Sequence, residues 1–408
     1  MRECAVVALA FLAAGCVSVA PEIAPPPVVP PVTVPPVAPP PVPSLPASYR
    51  PVTFSALPGW SEDRVQDAWP AFRVGCTALV KPEAATRALW SAVCAAADAV
   101  DASNPAAIRA FFVVHFSPYE VVTADGRTDG TVTGYYEPLL AGSRTATARF
   151  AVPLYAAPDD LLTVDLTALY PELKDKRLRG RVDGRKVLPY WTRAEIENGK
   201  APAGDKVLVY VEDPVEAFFL EIQGSGRVKL ADGSVMRVGY ADQNGHPYKS
   251  IGRVLIDRGE ITLERASMQG IRTWGRRHPG ELPALLAENP SYVFFREVPA
   301  PQPGSLDAAI DGPIGTLGVP LQAGRAIAID TRSIPLGAPV FLATTFPLST
   351  KPLQRLVLAQ DTGGAIRGAI RADFFWGFGD DAGREAGRMK QDGRMWILWP
   401  KDAGPPRP

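Results

Sequence analysis

The chain has 408 residues, 46% of them hydrophobic, and its 43 Lys+Arg are balanced by 43 Asp+Glu to a formal net charge of zero. That length allows one or two domains with full cores, and a neutral chain lacks the basic field that nucleic-acid binding requires. The three histidines, His115, His246 and His278, are scattered, and there is no HExxH or paired CxxC, so a zinc site is not expected.

In chain order, residues 1–16 close the motif "LAAGC" after a short basic start and an apolar stretch. The apolar run is shorter than the roughly 20 residues a membrane span needs, so it reads as a signal peptide. "LAAGC" resembles the lipobox of bacterial lipoproteins, which makes Cys16 the expected lipidation site. A plain secretory signal is the alternative. Val17 stands where an Asp would retain a lipoprotein in the inner membrane, so the outer membrane's periplasmic face is the expected location. Export to an oxidising space leaves two readings open for Cys76 and Cys94, a disulfide or two buried thiols.

Residues 17–47 form a tether: residues 21–47 alone hold 13 of the 43 prolines. Such a segment cannot bury a core and is expected to be extended, with a reach of roughly 80 Å at about 3.1 Å per residue. Residues 48–137 open with helical patterns. Ser61, Glu62 and Asp63 read as a helix start ahead of Val65, Ala68, Trp69 and Phe72. A second helix is expected from about Pro82 to Val100, and a third opens at Asn104-Pro105 and runs through Phe112.

Strand patterns follow. "GTVTGYYEPLL", "KVLVYVED" and "AFFLEIQGSGRVKLADGSVMRVGYA" are β-branched and alternating, with Asp232-Gly233 as a tight turn. Short helices are expected at "SIGRVLIDRG", "TLERASMQGIRTWGRR" and "ELPALLAEN", then strands at "NPSYVFFREV", "GRAIAID", "APVFLAT", "QRLVLAQDT" and "MWILWP". Many short strands with glycine turns predict β-barrels over a wound parallel sheet. The "QGSG" at Gln223–Gly226 fails both as a nucleophile elbow and as a dinucleotide loop, leaving a glycine turn where the backbone approaches a strand or a ligand. In "TGYYEP", Tyr135 and Tyr136 alternate, so one faces a core and the other solvent or a groove.

The stretch with most chemical content is "DTGGAIRGAIRADFFWG", Asp361–Gly377. Asp361 ends a hydrophobic strand, where a side chain can emerge into a cleft. Asp373 precedes Phe374, Phe375 and Trp376, and desolvation by such neighbours raises a carboxyl. A nearby ionised Asp361 raises it further, and a protonated carboxyl is what general-acid cleavage of a glycosidic bond needs. The structural alternative is that Asp361 caps a turn and Asp373 pairs with Arg371 or Arg367.

These residues, with "TGYYEP", "FFLEIQGSGRV", "SMQGIRTW", "NPSYVFFRE" and "RAIAIDTRSIPLGAPV", resemble the membrane-bound lytic transglycosylase A family of murein-degrading lipoproteins. The resemblance covers most of residues 130–395. It implies a mainly β fold with N-terminal helices: a double-psi β-barrel made from residues 48–137 and the catalytic part 299–408, with a second β-barrel inserted at 138–298. A groove between the barrels would hold a peptidoglycan glycan strand, with no metal or cofactor. It further implies cleavage of the MurNAc-β-1,4-GlcNAc bond to a 1,6-anhydro end by the single acid Asp373, assisted by Asp361. Backbone at Gly363 and Gly364 would approach the sugar, and Tyr135, Tyr136, Gln223, Ser225 and His246 are candidate groove-wall residues. A lipid anchor would hold the protein at the outer membrane, and no feature points to a particular divisome or cell-wall synthesis partner. Two rival readings are a β-1,4-glycan hydrolase using both aspartates and a non-catalytic murein-binding lipoprotein.

Overall fold

Long apolar runs such as Ala326–Ile329, buried at all four positions, require cover on both faces, and closing a sheet on itself provides it. In the computed structural model six strands pair in a ring: Gly130–Glu137, Arg371–Phe378, Ala326–Ile329, Pro352–Thr362, Pro339–Thr345 and Lys390–Pro400, the last returning to the first. Two pairings are parallel, Arg371–Phe378 with Gly130–Glu137 and Ala326–Ile329 with Pro352–Thr362, and the others are antiparallel. Strands Phe116–Thr123 and Ala47–Pro51 extend the sheet outward from Lys390–Pro400. The structure describes residues 47–408 except Lys174, Asp175, Arg177, Asp402 and Pro408. The expected signal peptide, Cys16 and residues 17–46 of the tether lie outside the described residues, while Ala47 is already in a strand.

Helices Trp69–Leu79, Arg87–Asp98 and Pro105–His115 cover this barrel through Phe72, Trp90 and Phe112, which share one core with Phe341, Trp396 and Trp399. The third starts as expected, with the Asn104 side chain accepting from the Ala106 and Ala107 amides and Pro105 in the first turn. The first starts later than expected. Asp63 does not cap it; its carboxylate instead accepts from the Leu356 amide at 2.7 Å and pairs with Arg325 at 3.0 Å. A 3-10 turn at Val65–Ala68 intervenes before the α-helix begins at Trp69. The second begins at Arg87, not Pro82. Cys76 and Cys94, one on each of the first two helices, form a disulfide.

A second sheet takes its strands from Leu139–Ser143 through Val293–Glu297, in the order Val293–Glu297, Val235–Gln243, Ser225–Lys229, Leu139–Ser143, Val207–Val211, Val152–Tyr155. A bridge from Ala156 to Phe295 joins its two edges. The expectation of strand across "AFFLEIQ" is corrected: Pro214–Gln223 is a helix. Asp213 caps it by accepting from the Val215 and Glu216 amides, Pro214 occupies its first turn, and Gly224 ends it at φ 76°, a left-handed conformation glycine adopts without strain. Its aromatic Phe218 packs with Ile251, Leu255, Ile271 and Trp274 of the neighbouring short helices. Gly226 is needed at the helix–strand contact, because a Cβ there would stand 2.4 Å from Leu220 Cδ1.

Candidate active site

Ala328 is the geometric reference for the two aspartates. In its central strand it is paired with Asp361 on one side and Asp373 on the other. Side chains alternate along strands, so the two carboxyls emerge on the same face, with backbones two strand spacings apart, roughly 9–10 Å. Beneath them lies an apolar floor of Tyr135, Leu321, Ala326, Ala328, Ile366 and Phe375. Of the three aromatics after Asp373, only Phe375 belongs to that floor, its ring 5.1 Å from Tyr135. Phe374 and Trp376 meet edge to face on the opposite face, with ring centroids 5.1 Å apart.

Each aspartate is held differently. Asp361 Oδ1 accepts from the Thr316 amide at 3.0 Å and the Thr316 hydroxyl at 2.9 Å, and its Oδ2 accepts from the Tyr135 hydroxyl at 3.0 Å. Among the described residues Asp373 accepts one hydrogen bond, from Thr133 Oγ1 to Oδ1 at 2.5 Å. The expected alternatives of pairing with Arg371 or Arg367 are not observed: Arg371 donates to Thr133 Oγ1 at 2.8 Å, and Arg367 faces Asp330 at 4.0 Å.

Burial pushes both carboxyls above the usual range, even though each residue keeps part of its surface open to solvent. At Asp361 the donors from Thr362, Thr316 and Tyr135 oppose that rise. At Asp373 the Thr133 bond and the Arg371 charge oppose it, and the charge on Asp361 reinforces it. Multiple donors favour a carboxylate, and Asp361 has more of them than Asp373, so the two environments differ. Tyr135, buried and beside both acids, has its phenol held well above its ordinary value by burial and then by their charge. Among the described residues no three His, Cys, Asp or Glu side chains converge as metal ligands.

A cleft of about 430 Å³ opens beside Asp361, with walls from both barrels. Gln223, Ser225, Gly363 and Gly364 line it, as do Thr316 and Leu321 below, Tyr240 and Arg296 from the second sheet and Tyr248 from the loop after Val235–Gln243. Gly364 has open space where a Cβ would lie, whereas one on Gly363 would stand 2.8 Å from Ile366. The other expected wall residues are placed elsewhere. Tyr135 is in the floor, and Tyr136 packs its ring on Gly383 with its amide on Gln223 Oε1. His246 binds the Tyr190 carbonyl through Nε2 at 2.7 Å inside the insert, so it braces a loop there. Thr133 and Thr316 were not singled out in the sequence. Thr133 lies inside the noted "TGYYEP", but its partner is 240 positions away, and only the strand register reveals it.

Residues 131–296 match the model of the MltA specific insert domain, and residues 325–399 match that of the 3D domain. The chain is 35% identical over 288 residues to membrane-bound lytic murein transglycosylase A of Escherichia coli K12, spanning 69% of this chain and 68% of that protein. It is similar to the crystal structure of MltA from Neisseria gonorrhoeae, at 41% identity and a TM-score of 0.77, over 90% of this chain and 96% of that one. It is also similar to E. coli MltA with bound chitohexaose, at 29% identity and a TM-score of 0.59, over 83% of this chain and 91% of that one.

Proposed function

The chain belongs to the MltA family of lytic murein transglycosylases, peptidoglycan-cleaving lyases, and from that premise we propose that Asp373 alone supplies both acid and base for the cut. Asp373 protonates the glycosidic oxygen between MurNAc and GlcNAc as the C1–O bond breaks. Now ionised, it takes the proton from the MurNAc C6 hydroxyl as that oxygen bonds to C1, leaving a 1,6-anhydro end. The attacking hydroxyl belongs to the same sugar, and such intramolecular attack has a high effective molarity, so no second carboxylate is needed to activate water.

The observation that carries this reading is the unequal embedding of the two acids. Both oxygens of Asp361 already accept hydrogen bonds from the protein, which makes it a poor base for water, while Asp373 keeps one oxygen without such a bond among the described residues. A hydrolase needs an acid and a free base or nucleophile. Asp361 instead supplies a fixed negative charge that keeps the proton on Asp373 and stabilises positive charge developing at C1. In the cleft, Gln223, Ser225 and the backbone at Gly363 and Gly364 contact the glycan, with residues 138–298 acting as the inserted wall. A non-catalytic binder gains nothing from holding an acid protonated. The deciding experiment is Asp373→Asn on purified sacculi: release of anhydromuropeptides is lost while circular dichroism stays native, and an active variant would end the assignment.

For location, no helix among the described residues is long and apolar enough to cross a membrane. The relatives are named membrane-bound, and a lipid on Cys16 followed by the proline-rich tether would hold this chain at the periplasmic face of the outer membrane.

A further inference from the structure

We propose that Arg371 is a positioning residue that, acting through Thr133, fixes the oxygen of Asp373 on which the reactive proton rides; this rests on Asp373 being the acid. Arg371 Nη2 donates to Thr133 Oγ1 at 2.8 Å, and Thr133 Oγ1 donates to Asp373 Oδ1 at 2.5 Å. A guanidinium has donors only, and a hydroxyl has one proton. Arg371 fills one of the two lone pairs of the Thr133 oxygen, and its positive charge disfavours a second incoming donor, so the hydroxyl turns its proton toward Asp373. Oδ1 is thereby the favoured acceptor. Oδ2 accepts no hydrogen bond among the described residues, so it is the oxygen left to carry the acidic proton.

Arg371 is built for this. It stands two residues before Asp373 on one strand, so both side chains rise from the same face. A second nitrogen of its guanidinium is tied to the Ala372 carbonyl, which fixes the fork. In the reaction the Oδ2–H bond breaks, the proton passes to the glycosidic oxygen, and the C1–O electron pair leaves with the N-acetylglucosamine. The C6 oxygen then bonds to C1 and its proton returns to Oδ2. One oxygen serves both steps, and the acid is regenerated without rotating the carboxyl. Without Arg371 the charge that biases the Thr133 hydroxyl is gone, so it accepts from Asp373 more readily and lets the proton settle on the wrong oxygen.

The test is the pH profile of kcat and KM on sacculi for Arg371→Gln, Thr133→Val and Thr133→Ser. The charged and titratable groups around Asp373 are Arg371 on its own strand, Tyr135 on Gly130–Glu137, Asp361 on Pro352–Thr362, and Lys390, paired in register with Thr133. Burial lifts Asp373, while the Thr133 bond and the Arg371 charge hold it down. Arg371→Gln and Thr133→Val should each move the alkaline limb of kcat upward, with kcat about tenfold lower and KM unchanged. The double variant should move the limb by less than the sum of the two, because part of the arginine's effect passes through the hydroxyl. Thr133→Ser, which keeps that hydroxyl, should restore the wild-type limb. An unmoved limb in Arg371→Gln, or Thr133→Ser behaving like Thr133→Val, would overturn the relay. Asp373→Asn keeps the two levels apart: an active Asp373→Asn sinks the underlying assignment, whereas an inactive one with an unmoved Arg371→Gln limb sinks only the relay.

Discussion

Removing Arg227 should destabilise the protein at neutral pH and much less in acid. Arg227 leaves the second sheet to meet the chain where it crosses between barrels: Nε and Nη2 bind Glu137 Oε2 at 2.9 and 2.8 Å. The remaining contacts are Asp311 at 2.8 and 3.0 Å and the Phe378 ring, 4.1 Å from the guanidinium carbon. Asp311 is 75% exposed and would be rehydrated, but Glu137 is 1% exposed and would not. The cost is therefore that of a buried carboxylate stripped of its cation, about 3–5 kcal/mol for a buried pair. We expect Arg227→Met to fall near the low end, about 3 kcal/mol at pH 7, because Glu137 can take up a proton instead. Burial already raises Glu137, and Arg227 pulls against that rise. Without Arg227 its folded-state pKa climbs further above the unfolded value, so folding takes up a proton. The loss then grows as pH rises above the ordinary glutamate range and is smallest below it. Urea unfolding of wild type, Arg227→Met and Arg227→Met/Glu137→Gln at pH 7 and pH 4 checks this. The double variant should recover most of the loss at pH 7. Equal destabilisation at both pH values, or no recovery in the double variant, would refute the reasoning.

The Cys76–Cys94 disulfide closes a separation of 18 positions, which on loop entropy contributes about 3 kcal/mol; Cys76→Ala/Cys94→Ala should lower the denaturant midpoint accordingly, and an unchanged midpoint would count against the bond. Asp361→Asn removes the charge that helps keep Asp373 protonated. Its alkaline limb should therefore move down, the reverse of the Arg371 variant, with a smaller loss of activity than Asp373→Asn; an upward move would contradict the assigned roles. Cys16→Ser should release the protein from the membrane fraction, and retention there would remove the lipid anchor.

The two aspartates could be read from sequence because each carries its environment beside it: a hydrophobic strand before Asp361 and aromatics after Asp373. The embedding itself differs in detail from what the aromatic run implies. Strand alternation turns Phe374 and Trp376 away, and the floor is Phe375 with residues from four other segments. Thr133 and Thr316 were not legible, since a threonine becomes a carboxylate partner only through cross-chain register. The apolar run of helix Pro214–Gln223 suits either period, and only Asp213-Pro214 and Gly224 carry the start and stop signals that mark it as a helix. His246 looked polar and available, yet tertiary packing commits its ring to the Tyr190 carbonyl. The barrels themselves followed from dense β-branched strands and glycine turns, which leave little choice but closure.

The most direct measurement is the mass of the products that the wild-type enzyme releases from sacculi. If Asp373 hands the C6 hydroxyl into C1, every disaccharide-peptide is lighter by one water than its hydrolysed counterpart, and Asp373→Asn releases none. Products carrying the added water would show that a second group activates solvent, and the single-acid account would fail.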